Sequence, residues 1–565
     1  MSKYAIGLDF GTNSCRALII DLLDGKEVAL SKCDYPSGDN GILTDRSNPA
    51  VARQNPGDYT ESMTKAVKNA VDKAKAGHGE FTVSEIISIG VCATSSSILP
   101  VDKECIPLCF HEKFKDNINA MVWLWKDHSS YEEAEKITRL AMKQHPEYLS
   151  RTGGAYSSEW FWSKILRCIN IDPKVFEAAF SFLELCDYIP AILAGISDPM
   201  EIKRGVCAAG HKAMYNQKWG GLPSPEFLAS LNPALPGLRD RLYKRAYPSD
   251  QIAGHLSKVW AGKLGLSENV TISVGCIDAH AGAVGAGIKQ GVMVKMLGTS
   301  TCDLMIWPKN REIADIPGVS GIVPDSIIPG FFGIEAGQAA VGDIFLWFVK
   351  HLTPDTYGPT VEDKFKNLEM KASALIPGES GLLALDWNNG NRSLLMDPRL
   401  SGLLIGQTLH TEAHEIYRTL IEATAFGALK IIKRFEEYGL SIDKIIICGG
   451  LAVKSSMLSR IYADVCGKEM MLTNSEQTGA LGASILGAVS AGEDVGGFPS
   501  VQKAQEKMTG IKKVFSPDAG NTMVYNRLFD LYEQLYDSFG TGGQNNKLNL
   551  IMKELMALSE EQKRG

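Results

Sequence analysis

The sequence predicts an α/β protein of two large domains, and three observations predict it. At 565 residues the chain is longer than one hydrophobic core organises. An apolar strand runs into Asp9-Phe10-Gly11-Thr12-Asn13-Ser14-Cys15-Arg16 and emerges as Ala17-Leu18-Ile19-Ile20. The same order returns in the second half: Val292, Val294 and Met296 alternate before Leu297-Gly298-Thr299-Ser300-Thr301. Gly287 to Gly291 punctuates the chain between the two, so the expected domains are 1–287 and 288–565, each a sheet with helices.

The totals exclude several classes. With 58 basic and 65 acidic residues the net charge is -7, and no Lys/Arg block builds a nucleic-acid surface. The twelve cysteines are scattered, without Cys-x-x-Cys or Cys/His ligand spacing, which argues against a disulfide scaffold or structural zinc. No apolar run is long enough to span a bilayer and no signal-peptide pattern opens the chain, so a cytoplasmic protein without membrane or nucleic-acid partners is expected.

In chain order, Tyr4, Ile6 and Leu8 alternate into a strand that turns at Gly11-Thr12. Asp24-Gly25 turns into a strand from Val28 to Cys33. Residues 34–57 read as irregular, broken by Pro36, Gly38, Gly41, Pro49 and Pro56. Asp58 is expected to cap a helix from Tyr59 to Ala74. Ile86 to Val91 is a strand, and Thr94 follows at its end, where open α/β sheets keep ligands. Phe182 to Leu193 reads as a helix ending near Gly195. Thr271 to Val274 is a strand running into Asp278 and a Gly/Ala helix. Thr411 is expected to cap a long helix that Gly439 stops. Ile445 to Cys448 is a buried strand ending in Gly449-Gly450, with a helix expected from Ser455. Gln477 to Ala491 is another Gly/Ala-rich helix, and residues 541–565 read as a linker, a short amphipathic helix and a frayed end.

Several of these stretches carry chemistry. Gly11 admits close backbone approach, and successive amides in such a turn cradle phosphate. Thr12 and Asn13 add neutral donors, Arg16 adds charge, and Asp9 is placed to orient hydrated Mg2+. An ordinary hairpin explains this loop equally well when taken alone; Gly298-Thr299-Ser300 at the front of the other half raises the nucleotide reading. The double glycine leaves room for a flat ring such as adenine. Trp125, within Trp125-Lys126-Asp127-His128, offers an aromatic wall for a polyol, or else a buried element start. Lys212 beside His211 could donate to a sugar hydroxyl, although a lysine is usually only solvated. Asp278 sits where a carboxylate base is expected, or where a helix cap would be. Glu335, in Glu335-Ala336-Gly337-Gln338, is expected to face the cleft.

Together these stretches resemble the FGGY carbohydrate kinase family over roughly residues 3–500. The resemblance implies two ribonuclease-H-like domains of the actin/hexokinase/Hsp70 ATPase fold, with the active site in the cleft between them. Asp9-Phe10-Gly11-Thr12 and Gly298-Thr299-Ser300 resemble its phosphate motifs, Gly449-Gly450 its adenosine motif, and Asp278 its catalytic base. Within the family, Trp125-Lys126-Asp127-His128, Gly210-His211-Lys212, Asp278-Ala279-His280 and Glu335 are most similar to the branch that phosphorylates L-ribulose at its 5-hydroxyl in arabinose catabolism. That similarity implies ATP and Mg2+ as cofactors, and Thr94, Trp125, Lys212, Asp278 and Glu335 around the ketopentose. It leaves a homodimer open. Ser455 stands where the family commonly has an adenine-proximal Asn, and Cys105 where a turn Gly is usual. The alternatives are a sibling kinase for D-ribulose, D-xylulose or glycerol, an actin-like nucleotide-switch ATPase, and an idle sugar sensor.

Overall fold

The computed structural model describes residues 2–541 and 548–564. Two open seven-stranded sheets carry the fold. In the first, the order is Ile252–His255, Thr271–Ser273, Ile86–Ala93, Tyr4–Phe10, Ser14–Asp21 and Glu27–Asp34, with Cys276–Ile277 also paired to Ile86–Ala93. In the second it is Gly321–Pro324, Phe331–Ala336, Thr301–Pro308, Val292–Leu297, Lys444–Cys448, Met470–Thr473 and Ile511–Phe515. Each sheet begins with an antiparallel hairpin, Tyr4–Phe10 with Ser14–Asp21 and Val292–Leu297 with Thr301–Pro308. The first strand of each hairpin then pairs in parallel with a later strand, Ile86–Ala93 in one half and Lys444–Cys448 in the other. The echo between the two loops is therefore an echo of topology. These central strands are covered on both faces, which is why they read as continuous apolar runs.

The Gly/Ala-rich helix Thr478–Ala491 lies across Tyr4–Phe10 and Ile86–Ala93 and against the helix Asp278–Gly285. A Cβ on Gly7 would sit 1.7 Å from the Ala480 carbonyl oxygen, and one on Gly482 1.7 Å from that of Ala281. Backbone meets backbone at both crossings, so neither position accepts a side chain. This helix follows residue 288 in sequence yet covers the first sheet. The core accordingly does not divide at 287/288: one buried cluster joins Leu8, Val91 and Ala281 with Ile446, Leu481 and Val501.

Several local expectations change. Residues 34–57 are not irregular throughout. They contribute Leu43–Asp45 and Asn48–Gln54 to a five-stranded sheet with Val122–Trp123, Ile98–Val101 and Ser181–Glu184. Those strands are short, and apart from the hairpin between the first two their partners are distant in sequence, so local punctuation hid them. Ser181–Glu184 also takes the start of the expected helix from Phe182; the helix itself is Leu185–Ala194, ended by Gly195. Asn55, not Asp58, caps Pro56–Gly77: its side chain accepts the Gly57 N–H at 2.9 Å and Pro56 opens the helix. Asp58 instead accepts from the Ser37 N–H and hydroxyl. Glu412, not Thr411, caps Ala413–Glu437, through a reciprocal capping box with Glu415. A short helix, Gly450–Lys454, precedes Ser455, which caps the next one, Ser456–Cys466. The expected C-terminal helix is Leu548–Arg564, and most of the expected linker, 542–547, lies outside the described residues.

Candidate active site

The first loop is closed by its own hairpin, with the Gly11 N–H donating to the Ser14 carbonyl at 3.0 Å. Gln54 Nε2 donates to the Thr12 carbonyl at 2.7 Å, and Asn13 Nδ2 to the Asn40 carbonyl at 2.7 Å. The loop is held from the small sheet while Asn13 remains exposed. Arg16 extends from the returning strand and pairs with Asp9 Oδ2 at 3.0 Å. In the second half, Gly298 and Thr299 are exposed, and their carbonyls accept from the Gly342 and Val341 N–H groups at 3.1 and 2.8 Å. Ser300 closes the turn by accepting the Gly298 N–H at 3.0 Å. Gly449, at φ +98°, packs against the Leu297 carbonyl, where a Cβ would come to 2.3 Å. This sets Gly449-Gly450 beside the second loop, with open space above Gly450. The Ser455 hydroxyl is engaged within its own half, where it accepts the Leu458 N–H at 3.0 Å and donates to Glu369 at 2.6 Å.

Asp278 is the first residue of its helix, following the strand Cys276–Ile277 on the edge of the first sheet. Its Oδ1 accepts the neighbouring Ala279 N–H at 2.7 Å. Burial pushes its carboxyl up to about 7, and the charge of Asp9 nearby adds to the rise. Glu335 comes from the second sheet and Lys212 from the end of the helix Val206–Lys212, and their charged groups meet at 3.2 Å. Burial opposes ionisation of both, but each outweighs that for the other: the Glu335 carboxyl is held below its usual range and the Lys212 ammonium above its own. Trp125 Nε1 donates to Thr12 Oγ1 at 3.0 Å, so the indole is fastened to the first loop. Its backbone N–H reaches Ser97 Oγ at 3.2 Å, and Ser97 in turn meets Thr94 Oγ1 at 3.0 Å. Within the Trp125 cluster, Asp127 is structural, buried in an ion pair with Arg53.

The structure thus brings Asp9, Thr12, Trp125, Thr94, Lys212, Asp278 and Glu335 into one connected region, with Gly298 to Ser300 and Gly449-Gly450 grouped in the other half. Sequence reasoning missed Arg392 and Glu159, which pair across the halves at 3.4 Å, with Arg392 within electrostatic reach of Glu335. A turn arginine and a glutamate before an aromatic run carry no local signal of this. It also missed the placement of His211 and His280, whose rings lie 4.6 Å apart, tilted by 50° to each other, beside Glu335.

Each half thus carries a short glycine loop in the turn of its first hairpin, and Asp278 lies near Asp9 of the first and the Lys212–Glu335 pair. Residues 4–285 match the N-terminal domain of the FGGY family of carbohydrate kinases and residues 293–491 match its C-terminal domain, so the chain belongs to this family. It is 41% identical over 579 residues to a ribulokinase of Shouchella clausii, covering 100% of this chain and 99% of that protein. It is 39% identical to a ribulokinase of Halalkalibacterium halodurans, with the same coverage. Among solved structures, a xylulose kinase from Rhodospirillum rubrum aligns with a TM-score of 0.74 at 20% identity, covering 95% of this chain and 99% of that one. A Plasmodium falciparum glycerol kinase with ADP aligns with a TM-score of 0.74 at 15% identity, covering 94% of this chain and 98% of that one. At these identities the structural likeness establishes the fold. Among the described residues no helix is long and apolar enough to cross a membrane.

Proposed function

We propose that the protein transfers the γ-phosphoryl group of ATP to the terminal 5-hydroxyl of L-ribulose, giving ADP and L-ribulose 5-phosphate, as a cytoplasmic step in arabinose catabolism. Full-length similarity to ribulokinases supports the substrate. The observation that carries the chemistry is Asp278: a carboxylate raised to about 7, at a strand end, beside a charged Lys212–Glu335 pair.

In this reading the sugar lies along Trp125, whose ring packs on its C–H face. Lys212, Glu335 and the Thr94 edge take its hydroxyls and fix which configuration fits. Asp278 accepts the proton of the 5-hydroxyl as that oxygen attacks phosphorus. The leaving oxygen stays with ADP, held through the amides and hydroxyls of Gly11 to Asn13 and Gly298 to Ser300. Arg16 adds a positive charge beside the first loop, and adenine lies over Gly449-Gly450, with Ser455 shaping the helix below it. Positioning in line and exclusion of water supply most of the acceleration. The donor set suits a hydrated Mg2+ held through water by Asp9: Oδ1 receives only a weak contact from the Cys92 thiol at 3.6 Å, so it keeps lone pairs for the waters of a hard cation. Bound there, the ion would neutralise phosphate charge.

ADP release measured over a panel of ketopentoses and polyols tests the assignment. L-Ribulose should give the highest kcat/KM, with little ADP formed when sugar is omitted. Turnover independent of sugar would point to a nucleotide-switch ATPase, and a clear preference for D-xylulose or glycerol would reassign the substrate.

A further inference from the structure

His211, His280 and Glu335 converge from three elements far apart in sequence: the helix Val206–Lys212, the helix Asp278–Gly285 and the strand Phe331–Ala336. One ligating atom from each lies within 4.8 Å of the others. Glu335 Oε2 is 3.4 Å from His211 Nδ1 and 3.5 Å from His280 Nε2. Both imidazoles are about 99% buried, and neither His211 Nδ1 nor either nitrogen of His280 has a hydrogen-bond partner. Orphaned polar atoms at such depth are costly and call for an occupant.

The proton positions sharpen this. Ser326 Oγ spends its one proton on the Val323 carbonyl at 3.0 Å, so at 3.1 Å it accepts from His211 Nε2–H. In the neutral ring that leaves the lone pair of Nδ1 facing a carboxylate oxygen. Two electron-rich atoms directed at each other need a cation between them. Ligands on a tetrahedral ion with bonds of about 2.0–2.1 Å lie about 3.3 Å apart, close to the two separations seen here. Two imidazoles and one carboxylate are a zinc-type donor set; Mg2+ and Ca2+ prefer more oxygens. Ser326 holds the ring of His211 as outer hydrogen-bond partners of metal-binding histidines do. Lys212 remains on Glu335 Oε1 at 3.2 Å.

We propose that His211 Nδ1, His280 Nε2 and Glu335 Oε2 form a binding site for a divalent transition metal of the zinc class, distinct from the magnesium that accompanies ATP. A further consequence rests on the sugar-site reading above: a metal bound here draws on Glu335 and places positive charge beside Lys212, so it opposes ketopentose binding.

The test uses the full-length, nucleotide-free protein after dialysis against chelator. Co2+ is titrated and followed by its visible absorption, and Zn2+ affinity is measured by competition with a chromophoric chelator. The expected result is one equivalent per chain with ligand-field bands of a low-coordinate nitrogen/oxygen site and no thiolate charge-transfer band. His280→Gln should weaken Zn2+ by more than tenfold. Ser326→Ala, which keeps all three ligands, should weaken it by about tenfold. Absence of a stoichiometric site, a thiolate band, or an affinity unchanged in both variants overturns the proposal. Should His280→Gln fail to fold, the cobalt spectrum and Ser326→Ala still decide it. Zn2+ should separately raise the apparent KM for L-ribulose at saturating MgATP. Stoichiometric binding without that rise would leave the metal site standing and move the sugar away from Glu335.

Discussion

Asp278 must be ionised to take a proton, yet its surroundings favour the neutral form. Burial is the larger reason and the charge of Asp9 the smaller. A base with its pKa near the working pH is also well matched to proton transfer, since it remains ionised while accepting a proton readily. The sign of the pH dependence follows. In the proposed role the active form is the carboxylate, so activity is present above the raised pKa and lost as pH falls through it. The account predicts that kcat/KM for the sugar declines with acid around pH 7, where an unperturbed Asp would hold activity to about pH 4. A pH–rate profile flat to pH 5 would remove Asp278 as the titrating base. Glu335 behaves in the opposite way, because the Lys212 ammonium keeps it ionised through this range. Its proposed role is binding. Glu335→Ala should raise the KM for ketopentose by roughly tenfold to a hundredfold, the loss of one charged hydrogen bond, with a smaller change in kcat. An unchanged KM would place the sugar elsewhere.

At the scale of elements, the helix Thr478–Ala491 is held backbone to backbone on two sides. It brings Gly479 to the Asp9 carboxylate, where a Cβ would stand 3.2 Å from Oδ2. It also stacks on Asp278–Gly285, so the elements bearing Asp9 and Asp278 are positioned by the same helix. Gly482→Val inserts a branched side chain where 1.7 Å separates a Cβ from the Ala281 oxygen. It should cost about 3 kcal/mol or more, seen as a lowered denaturation midpoint, and should reduce activity in whatever protein remains folded. Wild-type stability in that variant would contradict the backbone contact. The composition of this helix was legible in the sequence, but its place was not. A segment of Gly and Ala has little amphipathic stripe to say which sheet it covers, and the structure puts it on the sheet of the other half. Elements with a strong local signature were plain: the hairpins around Gly11 and Gly298, the strand before Gly449 and the long helix Ala413–Glu437. Short strands such as Val122–Trp123, paired only with distant partners, were not.

Across the whole molecule, the two halves repeat one topology and meet over the site. Lys212–Glu335 and Glu159–Arg392 bridge them at 3.2 and 3.4 Å on the side proposed for the sugar, while Asn13 and Thr299 stay exposed at the loops proposed for phosphate. The two loops proposed for phosphate could be read from the sequence because each is a contiguous motif and the second echoes the first. The proposed sugar side depends on residues 94, 125, 212, 278 and 335, and their meeting is a product of topology; only the family resemblance joined them beforehand. His211, His280, Glu159 and Arg392 escaped because their partners lie in other elements. In the proposed reaction Asp278 activates the 5-hydroxyl of L-ribulose toward ATP. The most direct measurement is phosphorus NMR of the product formed from L-ribulose and MgATP by the native protein and by Asp278→Asn, with nucleotide binding measured in both. The account predicts L-ribulose 5-phosphate from the native protein, and a rate reduced by at least about 10²–10⁴-fold in the variant with nucleotide affinity retained. A phosphate on another carbon, or near-native transfer by Asp278→Asn, would contradict it.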